Sequence, residues 1–508
     1  MIKESQGRLS LAFFMGAWRR RLRPEAAIDR AYPAWVKQHQ PDAAAWAARV
    51  KALKGAPTIS IVMPVYETNP EWLDAAVRSV LAQYYGKWEL LIADDASRSP
   101  DVAECLACLP ADHRIDIVHL PQRGGVSAAS NVALARATGD YVTFLDHDDL
   151  LAPHALAAMA REIAKTPSLD LLFSDEDQLV DGRRVRPYFK PGWNPDLLLS
   201  QNMVCHLAVY RRSVVTALGG LRPGFDGSQD YDLALRVTEG IDTRRVRHVP
   251  DMLYHWRQSA GSLSTAFAAR CADSARRALA DHLGAQAVIG TDPALPQWPA
   301  VRFALPSLQP SVSIVGGAYD GLYAAVQHVA SAGEAQGDVL VFLSAGLRPM
   351  VDDWLEALVA QACRPEIGAV GARLTGPGGA LVHAGFALDA KRVAVSPAAP
   401  ADVDDPGYRG HFRLARSVSA VSGDCLAVRR AVFEAAGGFH AAAGDFQDVD
   451  LCLRLAARGL RSVWTPLAWL QYAAPPAPKR AGAAWMRARW KLETDPYVNP
   501  HLALGRLT

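Results

Sequence analysis

The strongest constraint on this chain is a series of short, nearly continuous apolar segments separated by stretches of helical spacing. Thr58 to Tyr66 reads TISIVMPVY, Trp88 to Ala93 reads WELLIA, Ile115 to Leu120 reads IDIVHL and Tyr141 to Leu145 reads YVTFL. Runs this short, without polar alternation, predict strands buried on both faces. Between them, Glu71 to Tyr84 sets Trp72, Ala75, Ala76, Ser79 and Val80 at helical spacing, and Ser127 to Ala137 reads as a small-residue helix. Strands alternating with helices predict an α/β fold built on a parallel sheet. Such sheets bind ligands at the carboxyl ends of their strands. The residues just beyond each apolar run are therefore the candidates for chemistry.

Asp146-His147-Asp148-Asp149 directly follows YVTFL. Acids at the end of a buried strand are costly to desolvate unless paired or metal-bound. Oxygen ligands of this type suit Mg²⁺ or Mn²⁺, completed by substrate phosphates. One acid would serve as the N-cap of a helix over Leu150 to Ala160; three acids in four residues exceed that need. Asp94-Asp95 follows WELLIA, where a carboxylate can accept from a base or ribose, or simply close a turn. Arg123-Gly124-Gly125 precedes the helix at Ser127, which suits either close phosphate approach or a plain turn. Gln229-Asp230-Tyr231-Asp232 opens another helix, so that an acid there is either a general base or a cap. In Tyr254-His255-Trp256-Arg257, His255 is a candidate third metal ligand and Arg257 a partner for phosphate oxygens.

The chain also repeats itself. GDYVTFLDHDDLLAPHALAAMA from Gly139 matches GDVLVFLSAGLRPMVDDWLEALVA from Gly337. HLAVYRRSVVTALGG from His206 matches DCLAVRRAVFEAAGG from Asp424, and SQDYDLALRV from Ser228 matches FQDVDLCLRL from Phe446. Three matched blocks in one order, at a period of roughly 200 residues, indicate domain duplication rather than a solenoid. The second copy is shorter by about 55 residues, a loss expected to remove two strand–helix units and with them the nucleotide half of a site. It also carries Ser344, Ala345 and Gly346 where the first has Asp146, His147 and Asp148.

Composition narrows the function classes. Half of the 508 residues are hydrophobic, which excludes global disorder, and a net charge of +2 is no footprint for nucleic acid. Seven scattered cysteines, including a lone C-x-x-C at Cys105 and Cys108, form no disulfide framework and suit a reducing cytosol. No apolar run approaches the ~18–20 residues that span a bilayer. Leu9 to Trp18, followed by Arg19, Arg20, Arg21 and Arg23, reads as a helix packed on the first domain or as a basic segment lying on an anionic membrane surface. Residues 1–56 read as helical, Val393 to Pro406 as a mobile loop, and Lys479 onward as a tail helix.

Taken together, TISIVMPVYET, LLIADDAS, GGVSAASNVALARATGDYVTFLDHDD, DLLFSDEDQL, YFKPGWNPDLLLSQN and GSQDYDLALR resemble the family 2 glycosyltransferases of GT-A fold. The resemblance is strong over about residues 57–265 and decayed over 310–472. It is closest to two-module bacterial enzymes that build O-antigen, rhamnan or exopolysaccharide chains. It implies a mixed nucleotide-binding sheet flanked by helices in residues 57–300, a degenerate second module in 301–478, and a tail in 479–508. It further implies inverting transfer from a UDP-, dTDP- or GDP-sugar to a glycan or lipid-linked acceptor, with Mn²⁺ or Mg²⁺, on the cytoplasmic side of the inner membrane. On this sequence Pro64, Tyr66, Glu67, Asp94, Asp95, Gly124, Asp146 and Arg257 would hold the donor. Asp146, Asp148 and His255 would hold the metal, Asp230 would be the base, and Glu176, Asp177 and Gln229 would lie in the sugar and acceptor region. Gln229 departs from the Glu usual before that base. The second module, lacking the acids, is expected to be catalytically dead. A non-catalytic scaffold and a sugar nucleotidyltransferase are the alternatives; the first would predict lost acids in the first module, and the second a basic Gly-rich string near PVYETNPEW, which is absent.

Overall fold

The protein is described here from a computed structural model covering residues 24–258, 268–319, 321, 323, 325–396, 401–474 and 478–502. The basic segment after Leu9 lies outside the described residues. Each apolar run forms its expected strand: β1 (Ile59–Val65), β2 (Trp88–Asp94), β3 (Ile115–His119) and β4 (Tyr141–Phe144). These four are mutually parallel. The continuity of β1, β2 and β4 has a simple cause, because alternate side chains enter two different cores; β3, expected to be buried on both faces, lies at the sheet edge and is only partly buried. Val62, Leu91 and Val142 pack on one face; Ile61, Met63, Leu90, Ile92 and Tyr141 pack on the other. Register sets Val65 beside Asp94 and Asp94 beside His119, so the carboxyl ends lie level.

The sheet continues through β5 (Leu150–Leu151), β6 (Leu171–Val180), β7 (Arg183–Tyr188), β8 (Ala208–Arg211) and β9 (Val246–Arg257). Its order is β3-β2-β1-β4-β8-β6-β9-β5, with β7 on β6. It is mixed: β8 runs antiparallel to both β4 and β6, while β6 and β9 are parallel. The expected helix from Leu150 begins instead at Ala155, because Leu150–Leu151 pairs with Tyr254 and His255 of β9. The acids at 146–149 therefore cap no helix.

A second nine-stranded sheet runs Val326–Val329, Val312–Val315, Val339–Leu343, Cys425–Arg429, Ile367–Thr375, Arg461–Tyr472 and Leu347–Pro349 in spatial order. This is the first order without β3. Internal wiring repeats as well. Ser60 Oγ accepts from Gly139 N at 3.0 Å, and Ser313 Oγ from Gly337 N at 2.9 Å. Arg236 pairs with Asp232 and reaches the carbonyls of Leu218 and Gly220; Arg454 pairs with Asp450 and reaches those of Ala436 and Gly438. Asp232 is thus a helix-anchoring acid. The shortening differs from the expected two strand–helix units. Among the described residues it removes one strand and the counterparts of three helices, Pro70–Leu81, Pro100–Ala107 and Val126–Arg136.

The two modules are closely joined. Residue 300, the expected boundary, falls inside the hairpin Ala287–Asp292/Leu295–Phe303, whose Leu295 and Val301 enter the first core. Asp196 of the first module meets Arg364 at 2.8 Å and Arg461 at 2.9 Å from the second. Asn194 exchanges two 2.9 Å hydrogen bonds with the Ser417 backbone. Val393–Val395, at the start of the expected mobile loop, is a strand paired with Ala387–Asp389; residues 397–400 lie outside the described residues. The tail forms helix Ala483–Arg489 and then returns to the first module. Among the described residues, no helix is long and apolar enough to cross a membrane.

Candidate active site

The ends of β1 and β2 and the loop after β3 hold one group of the candidate residues. Asp94 Oδ1 accepts from Ser97 N at 3.0 Å, and Oδ2 contacts His119 Nδ1 at 2.9 Å. Burial works to raise the Asp94 pKa, but these hydrogen bonds hold it below the ordinary carboxylate value. Asp95 takes both amides of the glycine loop, Gly124 N at 2.6 Å and Gly125 N at 2.8 Å. Those donors are therefore engaged by a carboxylate, and Gly124 acts as a tether for Asp95 rather than as an open phosphate cradle. Glu67, at φ 45°, brackets the same turn: its N–H donates to Ser97 Oγ and its carboxylate accepts from Arg98 N. Arg123 lies over the Tyr66 ring at 4.1 Å, and the Pro64 carbonyl contacts His147 Nδ1 at 3.0 Å.

The four residues after β4 divide by role. Asp149 is fully buried; it accepts from Tyr254 Oη at 2.6 Å and from Arg257 N at 2.6 Å. Burial and the nearby Asp148 and Asp146 carboxylates push its pKa well up. Asp149 thus ties β9 to the strand end. Asp146 and Asp148 are left partly open to solvent. The Asp146 pKa is raised by desolvation and by the charge of Asp148, against the pull of His206. Two neighbouring, partly open carboxylates, whose only close basic contact among the described residues is His206 Nε2, 4.0 Å from Asp146, are a fitting donor pair for a hard divalent cation. Arg257 Nε donates to the Asp148 carbonyl at 2.6 Å, and its guanidinium lies over Trp72 at 5.5 Å.

His255 does not join this pair. Tyr254 and His255 alternate along β9, and the Tyr254 side chain faces the acids. His255 therefore faces the other side, where Nδ1 meets Asp177 Oδ1 at 2.6 Å. The histidine near the acids is His206, whose Nε2 lies 4.0 Å from Asp146 and whose ring stacks on Tyr254 at 4.4 Å.

The string Asp175-Glu176-Asp177 on β6 is split by the same alternation. Asp177 is held by His255, by Arg184 at 2.6 Å and by Tyr32 of helix Pro24–Gln38. Asp175 is held by Lys190 N, by His248 and, from the tail, by Asn499. Both are thus structural. Glu176 faces the His206 side, where it accepts from His206 N at 3.1 Å and Lys190 Nζ at 3.3 Å. Burial would raise its pKa, but the Lys190 ammonium and His206 bring it down to about 2. Glu176, Cys205 and His206 could offer ligand atoms within 4.8 Å of one another, but Lys190 already neutralises that carboxylate. Asp230 stands in the first turn of helix Gln229–Glu239. Asn202 Nδ2 donates to its Oδ2 at 2.7 Å. Gln229 Oε1 accepts from Gly227 N at 2.7 Å and so closes the preceding turn.

Asn202, His206 and Lys190 were not among the residues expected from sequence. Lys190, a fully buried cation in YFKPGW, and His206, replaced by Asp424 in the repeat, were the available signals. The acids of the second copy have been neutralised differently. Asp424 is surrounded by the hydroxyls of Ser344, Ser422 and Tyr472, and Lys479 binds both oxygens of Asp448, the counterpart of Asp230.

Residues 60–219 match the family model described as "Glycosyl transferase family 2". The chain is 34% identical, over 98% of its length, to the O-antigen biosynthesis protein RfbC of Myxococcus xanthus, of which it covers 44%. It is 33% identical, over 93% of its length, to the uncharacterized protein y4gI of Sinorhizobium fredii, of which it covers 60%. The chain thus spans less than two thirds of these relatives. It is 35% identical, over 36% of its length, to the putative colanic acid biosynthesis glycosyl transferase WcaA of Escherichia coli, of which it covers 67%. With acids gathered at the strand ends of an α/β sheet and these relatives in view, the chain belongs to glycosyl transferase family 2.

Proposed function

We propose that the first module transfers a sugar, with inversion, from a UDP-, dTDP- or GDP-sugar to a glycan or lipid-linked acceptor of a bacterial surface polysaccharide. The observation that carries this reading is the division of labour at the carboxyl ends of one sheet's strands. Asp94 and Asp95 fix the turn after β2, Asp146 and Asp148 stand open after β4, and Asp230 enters from a separate helix. Asp146 and Asp148 would hold Mn²⁺ or Mg²⁺. When bound, such a cation supplies neutralisation for the departing diphosphate. Arg257, beside the same turn, would add a guanidinium for phosphate oxygens. Asp230 would take the proton of the acceptor hydroxyl. That oxygen then forms the new bond to the anomeric carbon, and the bond to the nucleoside diphosphate breaks with its electron pair on the leaving phosphate. Ionised Glu176, beside His206 on β6, would accept from sugar hydroxyls. Seven free thiols fit a reducing compartment and so work on the cytoplasmic side of the inner membrane.

The second module fits a non-transferring role in acceptor binding or packing, because Lys479 occupies both oxygens of its remaining acid. The test is nucleoside diphosphate release from a panel of UDP-, dTDP- and GDP-sugars with Mn²⁺ and a detergent extract of lipid-linked glycan. Metal-dependent release with one nucleotide class is expected. No release across the panel would refute the reading.

A further inference from the structure

We propose that Asn202 is a positioning residue for Asp230, and that it decides which carboxylate oxygen meets the acceptor. This rests on the transferase reading above. Asn202 follows the short helix Pro195–Leu198 and is half-buried. Its Oδ1 accepts from Cys205 N at 3.2 Å. Only the oxygen of an amide accepts, so this bond fixes which way the side chain is turned. Nδ2 is thereby directed at Asp230 Oδ2, at 2.7 Å. Among the described residues no partner is seen on Oδ1 of Asp230, and that oxygen is left to receive the proton. An amide donor suits this task because it holds a carboxylate in one rotamer without adding a second titrating group.

The loop that carries Asn202 is braced at its far end. Lys190 Nζ donates to the carbonyls of Val204 at 2.9 Å and His206 at 2.5 Å, and Glu176 accepts from His206 N. Lys190 is itself held by Asp175 and, through its carbonyl, by Asn499 of the tail. The hold on Asp230 is therefore built from the core outward. The duplicate supplies a contrast. There, Lys479 engages Oδ1 of Asp448 at 3.0 Å and Oδ2 at 2.9 Å, and no free oxygen serves as a base. The copy with open acids has an amide on one oxygen; the copy without them has an ammonium on both.

Asn202→Asp separates positioning from mere packing. Aspartate keeps the acceptor for Cys205 N but offers Asp230 a repelling carboxylate in place of a donor. Asn202→Ala removes both bonds. Donor turnover from the panel above should fall about 10–100-fold in both variants, with Asn202→Asp no better than Asn202→Ala. Affinity for UDP with Mn²⁺, measured by calorimetry, should stay within about twofold of wild type. In an Asp230→Asn background, Asn202→Ala should cost little further turnover. Wild-type turnover in Asn202→Asp, or an undiminished loss from Asn202→Ala in the Asp230→Asn background, would overturn this assignment alone. A wild-type protein that releases no nucleotide would overturn the transferase reading and this assignment with it.

Discussion

Asn substituted for Asp196 should unlock the two modules. The carboxylate is 2% exposed, and it bridges Arg364 at 2.8 Å and Arg461 at 2.9 Å, whose side chains are 13% and 19% exposed. Ser417 Oγ adds a 2.5 Å hydrogen bond. Asp196→Asn keeps the shape but leaves two guanidiniums facing a neutral amide, with the partly exposed Glu366, 2.8 Å from Arg364 and 3.5 Å from Arg461, as their remaining acid. Removing one member of a buried ionic group costs about 3–5 kcal/mol. If the whole chain unfolds as one unit, its large unfolding entropy converts this to a loss of only about 3–5 °C in melting temperature. If a single module melts separately, each kcal/mol is worth about 2–4 °C, and the loss is correspondingly larger. Acid provides an independent check. Burial would raise the Asp196 pKa, but Arg364, Arg461 and Ser417 hold it well below the ordinary range. A depressed carboxylate contributes stability that is complete above its unfolded pKa of about 3.9 and is lost as pH falls toward the native value. Calorimetric scans between pH 7 and pH 3 should show wild type losing this increment below about pH 4, while Asp196→Asn lacks it throughout. A variant that melts within about 1 °C of wild type at pH 7 and follows the same acid profile would refute the reasoning.

Asp148→Ala should remove Mn²⁺-dependent UDP binding; calorimetry in which Mn²⁺ still strengthens UDP binding as in wild type would contradict a metal role. Asp230→Asn should lower turnover by about 10²–10⁴ while sparing donor affinity, as expected for a base absent from ground-state binding. Gly139→Ala should destabilise the first sheet by about 1–3 kcal/mol, because a Cβ would lie 2.6 Å from Ser60 Oγ and 2.9 Å from the Thr58 carbonyl. Urea unfolding would read that change, and a neutral result would mean the β1–β4 connection is looser than described. A chain carrying Asp148→Ala and Asp230→Asn together, with the second module intact, should release no nucleotide above background; residual transfer would show that the second module works.

Much of the first module was legible because burial on both faces leaves a mark that needs no partner to interpret. β1, β2 and β4 appear in sequence as nearly continuous apolar runs, and their termini pointed directly to Asp94, Asp95, Asp146 and Asp148, whereas β3, at the sheet edge, is only partly buried. The mixed direction of the sheet was not legible in the residue pattern and came only from the family resemblance, since β8, AVYR, looks alike whether it runs parallel or antiparallel. Side-chain facing was not legible either. YHWR presents Tyr254 and His255 to opposite faces, and only the pairing of β9 with β5 and β6 decides which residue meets the acids. Asp149 looked identical to its neighbours in sequence and became structural only through Tyr254 and the Arg257 amide. Asn202 and Lys190 gave no periodic signal, because their function depends on contacts with Asp230 and with carbonyls that local pattern does not encode.

The duplicated modules show which part of this architecture is separable from chemistry. The pairs Ser60/Gly139 and Ser313/Gly337, and Asp232/Arg236 and Asp450/Arg454, keep their hydrogen bonds in both copies. These contacts pin strand starts and a helix start, at the end of the sheet away from the acids, and both copies share them. The acids that differ lie beyond the pinned points, on turns that the scaffold holds but does not require. An unneutralised acid cluster is a cost that only ligand binding offsets. Where a donor no longer binds, nothing offsets it. In the second copy the cluster has become Ser344, Ala345 and Gly346, Asp424 sits among hydroxyls, and a lysine covers Asp448. The first copy retains its partly open pair, a cost that the proposed binding of a charged ligand there would offset.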